Sequence, residues 1–342
     1  MKRLLIIRFS SLGDLCLLGW AAAARRDRLP PDGSEQVTLV TKPAYADLMR
    51  LVRGIDEVVV PDGTGVADLA RLAGGLRRDP HDLVLDAHNV LRSHLLLGLM
   101  GRRPQRRLAK DTAARLLYMR TGKPHTALQR TMGDRFDEVV SGPGDTDPHR
   151  APQPPLDIPG AEGRREPILG LAPGAMWETK RWLPRNFADL ARAARERTGA
   201  RIRIFLGPRE ESWFSASPLG QFAAAAQDSV EIIDRRPLVE VASLLADCSL
   251  LVTNDSGLLH LAEAVGTPVL AFFGPTVRAF GYFPRLPASR VIERPLDCRP
   301  CSRNGKRPCH RGDLACLTDI TLEATDQVLQ DMWRELAPKD TP

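Results

Sequence analysis

A chain of 342 residues, 43% hydrophobic and 26% charged, has the length of two globular cores and the composition of an ordinary folded protein. It holds no apolar run of the roughly 18 to 20 residues a membrane-crossing helix needs, and Arg8 and Asp14 interrupt its basic, apolar start, unlike a signal peptide, so a cytoplasmic protein is expected. The net charge of +6 lies wholly in residues 1–150, with 24 Lys/Arg against 18 Asp/Glu, which is where a polyanionic partner is expected.

In chain order, residues 2–9 read as a strand buried on both faces. The small-residue turn Ser10-Ser11-Leu12-Gly13-Asp14 and an apolar helix over about 15–25 follow. Strand, turn and helix open a Rossmann-like unit, but a single Gly13 is not the G-x-G-x-x-G fingerprint, which argues against NAD or FAD. Strands over 36–41, 57–60 and 83–86 alternate with helices over 45–52 and 66–76, the pattern of a parallel sheet with helices on both faces. From Arg92 to Arg135, eleven Lys/Arg stand against Asp111 and Asp134. Such a run suits nucleic acid, an acidic lipid surface or an acidic carbohydrate; the plainer reading is a solvated helical face. The Pro/Gly-rich residues 141–167 read as a linker between domains 1–150 and 151–342. The one D-x-D sequence, Asp145 and Asp147, falls in it and reads as solvated loop rather than a metal site.

Beyond the linker the βα alternation resumes, with strands over 168–171, 201–206, 230–233, 250–253 and 269–273, and helices over 186–198, 238–247 and 257–265. A helical stretch over 210–226 is interrupted at Pro218. Ligands of open α/β sheets bind beyond the strands' carboxyl ends. Three such ends carry chemistry. Thr179, Lys180 and Arg181 offer a hydroxyl and two cations to a diphosphate. Glu210 or Glu211 suits ribose hydroxyls, and the pattern does not separate the two. The turn Asn254-Asp255-Ser256-Gly257 opens a helix whose N–H groups and dipole suit a phosphate, the plainer reading being a helix cap.

The segments SSLGD, PGA..ETKRW, NDSGLLHLAEAVGTP and FGPT, in this order, resemble the ADP-heptose:lipopolysaccharide heptosyltransferases of glycosyltransferase family 9, nearest to the second heptosyltransferase of the inner core. The resemblance implies a GT-B fold, two Rossmann-like domains facing across a cleft, with acceptor on the first and ADP-heptose on the second. It implies inverting transfer of heptose from ADP-L-glycero-D-manno-heptose to the lipopolysaccharide inner core, with Asp14 as general base and Lys180 neutralising the departing diphosphate. Thr179, Lys180, Arg181, Asp255, Ser256, Gly257 and His260 match donor-binding positions, and one of Glu210 and Glu211 would bind ribose. A core histidine is the plainer reading of His260. The basic run, and in it Arg92, Arg102, Arg103, Arg106 and Arg107, would meet the carboxylates and phosphates of an acidic core acceptor, with peripheral contact at the inner face of the inner membrane left open. No catalytic cofactor is implied.

Four of the six cysteines, Cys298, Cys301, Cys309 and Cys316, lie within 19 residues. In a cytosolic chain this suggests a structural Zn or Fe site ahead of reduced thiols or disulfides, although the spacing is not that of a common zinc finger. Cys16 and Cys248 read as core residues. The competing functions are a GT-B transferase for another nucleotide sugar or acceptor, a non-catalytic sugar-binding relative, and, in a different class, a nucleic-acid-binding protein using the basic run and the four cysteines.

Overall fold

The computed structural model describes residues 1–30, 34–144, 153–158 and 167–336; Asp145 and Asp147 lie outside them. The chain divides into two compact units. Unit 1 is Met1–Thr112 with Gln129–Asp157, and unit 2 is Ala113–Leu128 with Ile158–Pro342.

The chain begins with β1 (Lys2–Ile7), α1 (Leu12–Arg26), β2 (Glu35–Val40), α2 (Pro43–Met49), β3 (Glu57–Val59) and α3 (Val66–Arg78). It continues through β4 (Leu83–Asp86), α4 (Leu91–Leu99), β5 (Arg106–Arg107), α5 (Thr112–Thr121) and α6 (Met132–Val140). The sheet of unit 1 is parallel throughout, in the order β3-β2-β1-β4-β5, with Ile7 level with Val40 and Asp86. β1 is a continuous apolar run because helices cover both faces; Leu5, Ile7, Val40, Val84, Leu69 and Leu96 form one buried cluster. The expected strands and helices of this half are present. The basic run, read as one patch, is divided among α4, β5, α5 and α6.

Unit 2 continues with β6 (Ile168–Ala172), α7 (Pro184–Thr198), β7 (Arg201–Phe205), α8 (Glu211–Ser215), α9 (Pro218–Ala225), β8 (Val230–Ile233) and α10 (Leu238–Ala246). β9 (Leu250–Asn254), α11 (Gly257–Ala264), β10 (Val269–Phe273), β11 (Arg290–Glu293), α12 (Ala315–Thr318) and α13 (Leu322–Leu336) complete it. Its six strands, also parallel, run β11-β10-β9-β6-β7-β8. Pro218 falls at the first turn of α9, where proline's missing N–H costs nothing, so the expected interrupted helix is two helices. Among the described residues no helix is long and apolar enough to cross a membrane.

Candidate active site

The strand order of unit 1 reverses between β1 and β4, the place where an open parallel sheet receives a ligand beyond its strand ends. Asp14 lies there, in the first turn of α1. Its Oδ2 accepts from the Ser11 hydroxyl at 2.7 Å and the Ser11 N–H at 3.3 Å, so it does cap the helix. The same oxygen meets the Arg8 guanidinium at 2.5 Å, with the two side chains 6% and 13% exposed. Arg8 also donates to the Ala87 carbonyl at 2.6 Å and lies 5.3 Å over the Phe136 ring. In the sequence Arg8 reads only as an interruption of the apolar start. A cation directly after a buried apolar strand needs an anion to offset its desolvation, and Asp14 is six residues on.

On the neighbouring strand, Asp86 is fully buried, and its Oδ1 accepts from the N–H groups of His88 at 3.1 Å and Asn89 at 2.7 Å. Asn89 takes φ +53°, a left-handed conformation that asparagine tolerates, and its side chain bonds His94 and the Leu108 carbonyl. This short loop therefore sets His88 rigidly, with Nδ1 accepting from the Phe9 N–H at 3.3 Å. Burial first, then the charges of Arg8 and Lys110, push His88 down to about 4 against the opposing pull of Asp14 and Asp86. Its folded pKa thus lies below the ordinary 6.5, so an unfolded chain takes up the proton first as pH falls. The stability linked to this ring is complete above pH 6.5 and is lost as pH falls from there through about 4. Discounted for the ring's partial exposure, the expected loss is on the order of 1–2 kcal/mol. Urea unfolding at pH 7 and pH 4.5 checks it: wild type should lose that much more than His88→Gln.

The five expected acceptor arginines do not form one face. Arg92 donates to the carbonyls of Thr64 and Gly63 at 2.8 and 3.1 Å and lies over Phe9, and Arg107 approaches Asp86 at 3.4 Å; both are at the carboxyl end of the sheet. Arg102 donates at 2.7 Å to the carbonyl of His81, which precedes β4, so it and the exposed Arg103 belong to the opposite end. Arg106 turns toward the same opposite end, donating at 3.2 Å to Val140 at the close of α6. Elsewhere in the run, Arg115 is buried in unit 2 against the Phe280 carbonyl, and Arg135 is buried against Asp111. The helices and strands that share these arginines scatter the charge, and the continuous patch on which a nucleic-acid reading stood is lost.

In unit 2 the order reverses between β6 and β9. Lys180 Nζ meets Asp255 Oδ2 at 2.5 Å, the two side chains 13% and 9% exposed, and the Thr276 hydroxyl of the FGPT segment donates to the same oxygen at 2.7 Å. Buried Asn254 fastens the loop that carries Lys180. Its Oδ1 accepts from the Trp182 N–H at 2.9 Å, and its Nδ2 donates to the Pro173 carbonyl at 2.7 Å. Trp182, fully buried, stacks on Phe272 with centroids 4.1 Å apart and donates to the Ile320 carbonyl, so Lys180 hangs two residues from a fixed anchor. Beside it, Ser256 caps and Gly257 begins α11, and among the described residues the Ser256 hydroxyl has no hydrogen-bond partner. His260, one turn on, is buried with Tyr282 6.1 Å away, which fits a packed histidine.

Two other expected donor residues, Thr179 and Arg181, are committed within the protein. Thr179 donates to the Gly305 carbonyl. Arg181 donates twice to the Ala175 carbonyl and lies 5.1 Å over Trp213, so it braces the loop. The two glutamates differ. Glu211 is exposed and paired with Arg235 at 2.9 Å, whereas Glu210 is buried, accepts from the Gly207 N–H at 2.7 Å, and lies where a Cβ on Gly174 would come within 1.9 Å of it. Burial raises the Glu210 pKa, with the Gly207 N–H and the Arg181 charge opposing.

The expected cysteine metal site is not assembled: among the described residues no three His, Cys, Asp or Glu are arranged to hold an ion. All four cysteines are free thiols. Burial first, then the neighbouring Cys298 and Cys309, raises Cys301, and burial first, then Cys301, pushes Cys316 up to about 11. Cys316 packs in the core of unit 2, and the thiol of Cys309 is held below its usual range, burial raising it but the backbone N–H groups of Leu314, Arg311 and Gly312 lowering it more. The segment has another role. Gly305, at φ +90°, lies against the Lys180 methylenes, where a Cβ would come within 2.9 Å, and Arg299 donates to the carbonyls of Gly274, Phe273 and Thr276.

Two doubly wound units with charged groups at both strand-order reversals have the architecture of proteins that bind ligands beyond the carboxyl ends of their strands. The chain belongs to glycosyltransferase family 9 (heptosyltransferase), whose model matches residues 69–309. It is 30% identical to lipopolysaccharide heptosyltransferase 1 of Pseudomonas aeruginosa over 66% of this chain and 63% of that protein. It is 31% identical to lipooligosaccharide heptosyltransferase 2 of Haemophilus ducreyi over 50% of this chain and 48% of that protein, so the chain spans less than two thirds of either relative. The structure of Escherichia coli ADP-heptose lipopolysaccharide heptosyltransferase II superposes with a TM-score of 0.73 at 20% identity over 98% of this chain and 99% of that one, which establishes the GT-B fold.

Proposed function

We propose that the protein transfers heptose from ADP-L-glycero-D-manno-heptose to an acidic inner-core lipopolysaccharide acceptor in the cytoplasm, inverting the anomeric carbon. The observation that carries this reading is the Lys180–Asp255 pair beside the start of α11, at the strand-order reversal of unit 2. A carboxylate next to a diphosphate repels it, so Asp255 serves by holding Lys180 until the donor arrives. The ammonium then neutralises charge growing on the departing diphosphate, and the Ser256 and Gly257 N–H groups at the helix start add to it without a divalent metal. Asp14 takes the proton of the acceptor hydroxyl as that oxygen attacks the anomeric carbon from the side opposite the diphosphate.

Glu210 is the ribose ligand in this reading and Glu211 a surface residue, because only Glu210 is buried against the loop after β6. Glu210→Ala should weaken ADP binding about tenfold, the worth of one hydrogen bond to a charged group, while Glu211→Ala stays within about twofold. Calorimetric titration with ADP measures both. The donor itself is tested with a panel of ADP-, UDP- and GDP-sugars. Turnover with ADP-heptose is expected, and turnover confined to another nucleotide sugar overturns this choice of donor.

A further inference from the structure

We propose that His88 positions the acceptor: its Nε2–H donates a hydrogen bond to a hydroxyl or carboxylate oxygen of the acceptor saccharide next to the hydroxyl that Asp14 deprotonates. The inference rests on the functional reading above and adds a residue to it. His88 and Asp14 follow adjacent parallel strands, β4 and β1, on the two sides of the reversal in unit 1. The Phe9 N–H occupies Nδ1, which leaves the ring proton on Nε2, across the ring from the backbone. The ring is only partly buried, and the Asp86 and Asn89 contacts fix its loop, so a donor is held ready at small entropic cost. The charged groups around it are Arg8, Lys110, Asp14 and Asp86, and with the two cations beside it the ring is a neutral donor near neutral pH. A neutral donor orients the acceptor without adding a positive charge that would make Asp14 a weaker base.

The test measures acceptor binding without donor, and initial rates with both substrates, for wild type, His88→Phe, His88→Ala and His88→Gln. Phe keeps the packing on Phe9 without a donor, and Gln restores one. The expected result is an acceptor KM and Kd about tenfold higher for Phe and Ala, an unchanged KM for ADP-heptose, kcat within about threefold of wild type, and at least half of the lost affinity recovered by Gln. If Phe binds acceptor as well as wild type, or Gln fares no better than Phe, the assignment of His88 is overturned. If wild type itself neither binds nor glycosylates the acceptor, the functional reading falls and this inference with it.

Discussion

Replacing Asp14 with Asn is expected to lower kcat by about 10³, within the 10²–10⁴ range of a positioned general base, while ADP-heptose binding stays within about twofold. Asn keeps the size of the side chain and can still accept from Ser11, so the start of α1 is preserved and the loss reports the missing negative charge. The substitution also leaves Arg8 without its anion in a nearly closed environment. Thermal unfolding of Asp14→Asn should therefore show destabilisation of roughly 1–3 kcal/mol, and the double variant Arg8→Met/Asp14→Asn should recover part of it without recovering activity. Steady-state rates together with unfolding curves separate the chemical role from the structural one. A rate within tenfold of wild type would leave Asp14 as a helix cap only.

The second large effect is expected at Lys180. Lys180→Met should lower kcat by about 10²–10³, comparable to deleting one preorganised charge-stabilising donor, and weaken ADP-heptose binding by a smaller factor of about ten. The difference between the two factors is the diagnostic, because charge on the leaving group is greater in the transition state than in the bound donor. Lys180→Arg should restore little, since Gly305 closes on the lysine methylenes and a planar guanidinium cannot follow the same path to Asp255. Single-turnover rates and donor Kd values for Met and Arg variants check this. Equal losses in affinity and rate would make Lys180 a ground-state binding residue.

Most of the fold was legible because its strands are buried on both faces and read as plain apolar runs: LLII in β1, LLVT in β9 and VLAFF in β10. The misses have physical causes. β5 is two arginines long and pairs only at the sheet edge, so no periodicity marks it. The run from Arg92 to Arg135 was legible as charge but not as direction, because helices and strands carry successive arginines to opposite ends of one sheet. At the candidate site, the positions of Asp14, Lys180 and Asp255 were readable from strand ends followed by small-residue turns. Arg8 leaves a sequence signal in its place directly after a buried strand, but Asn254, Thr276 and Gly305 leave none, since tertiary packing brings them to the loop of Lys180 and to Asp255. Likewise, spacing alone suggested a metal for four thiols, of which the fold takes Cys316 into the core of unit 2.

The most direct measurement is incubation of the protein with ADP-heptose and inner-core acceptors with and without a first heptose, followed by mass spectrometry and NMR of the product beside an Asp14→Asn reaction. The account predicts that wild type adds one heptosyl residue, releases one ADP and inverts the anomeric configuration, while Asp14→Asn binds the donor and forms almost no product. A product with retained configuration, or wild-type turnover of other nucleotide sugars with none of ADP-heptose, would contradict it.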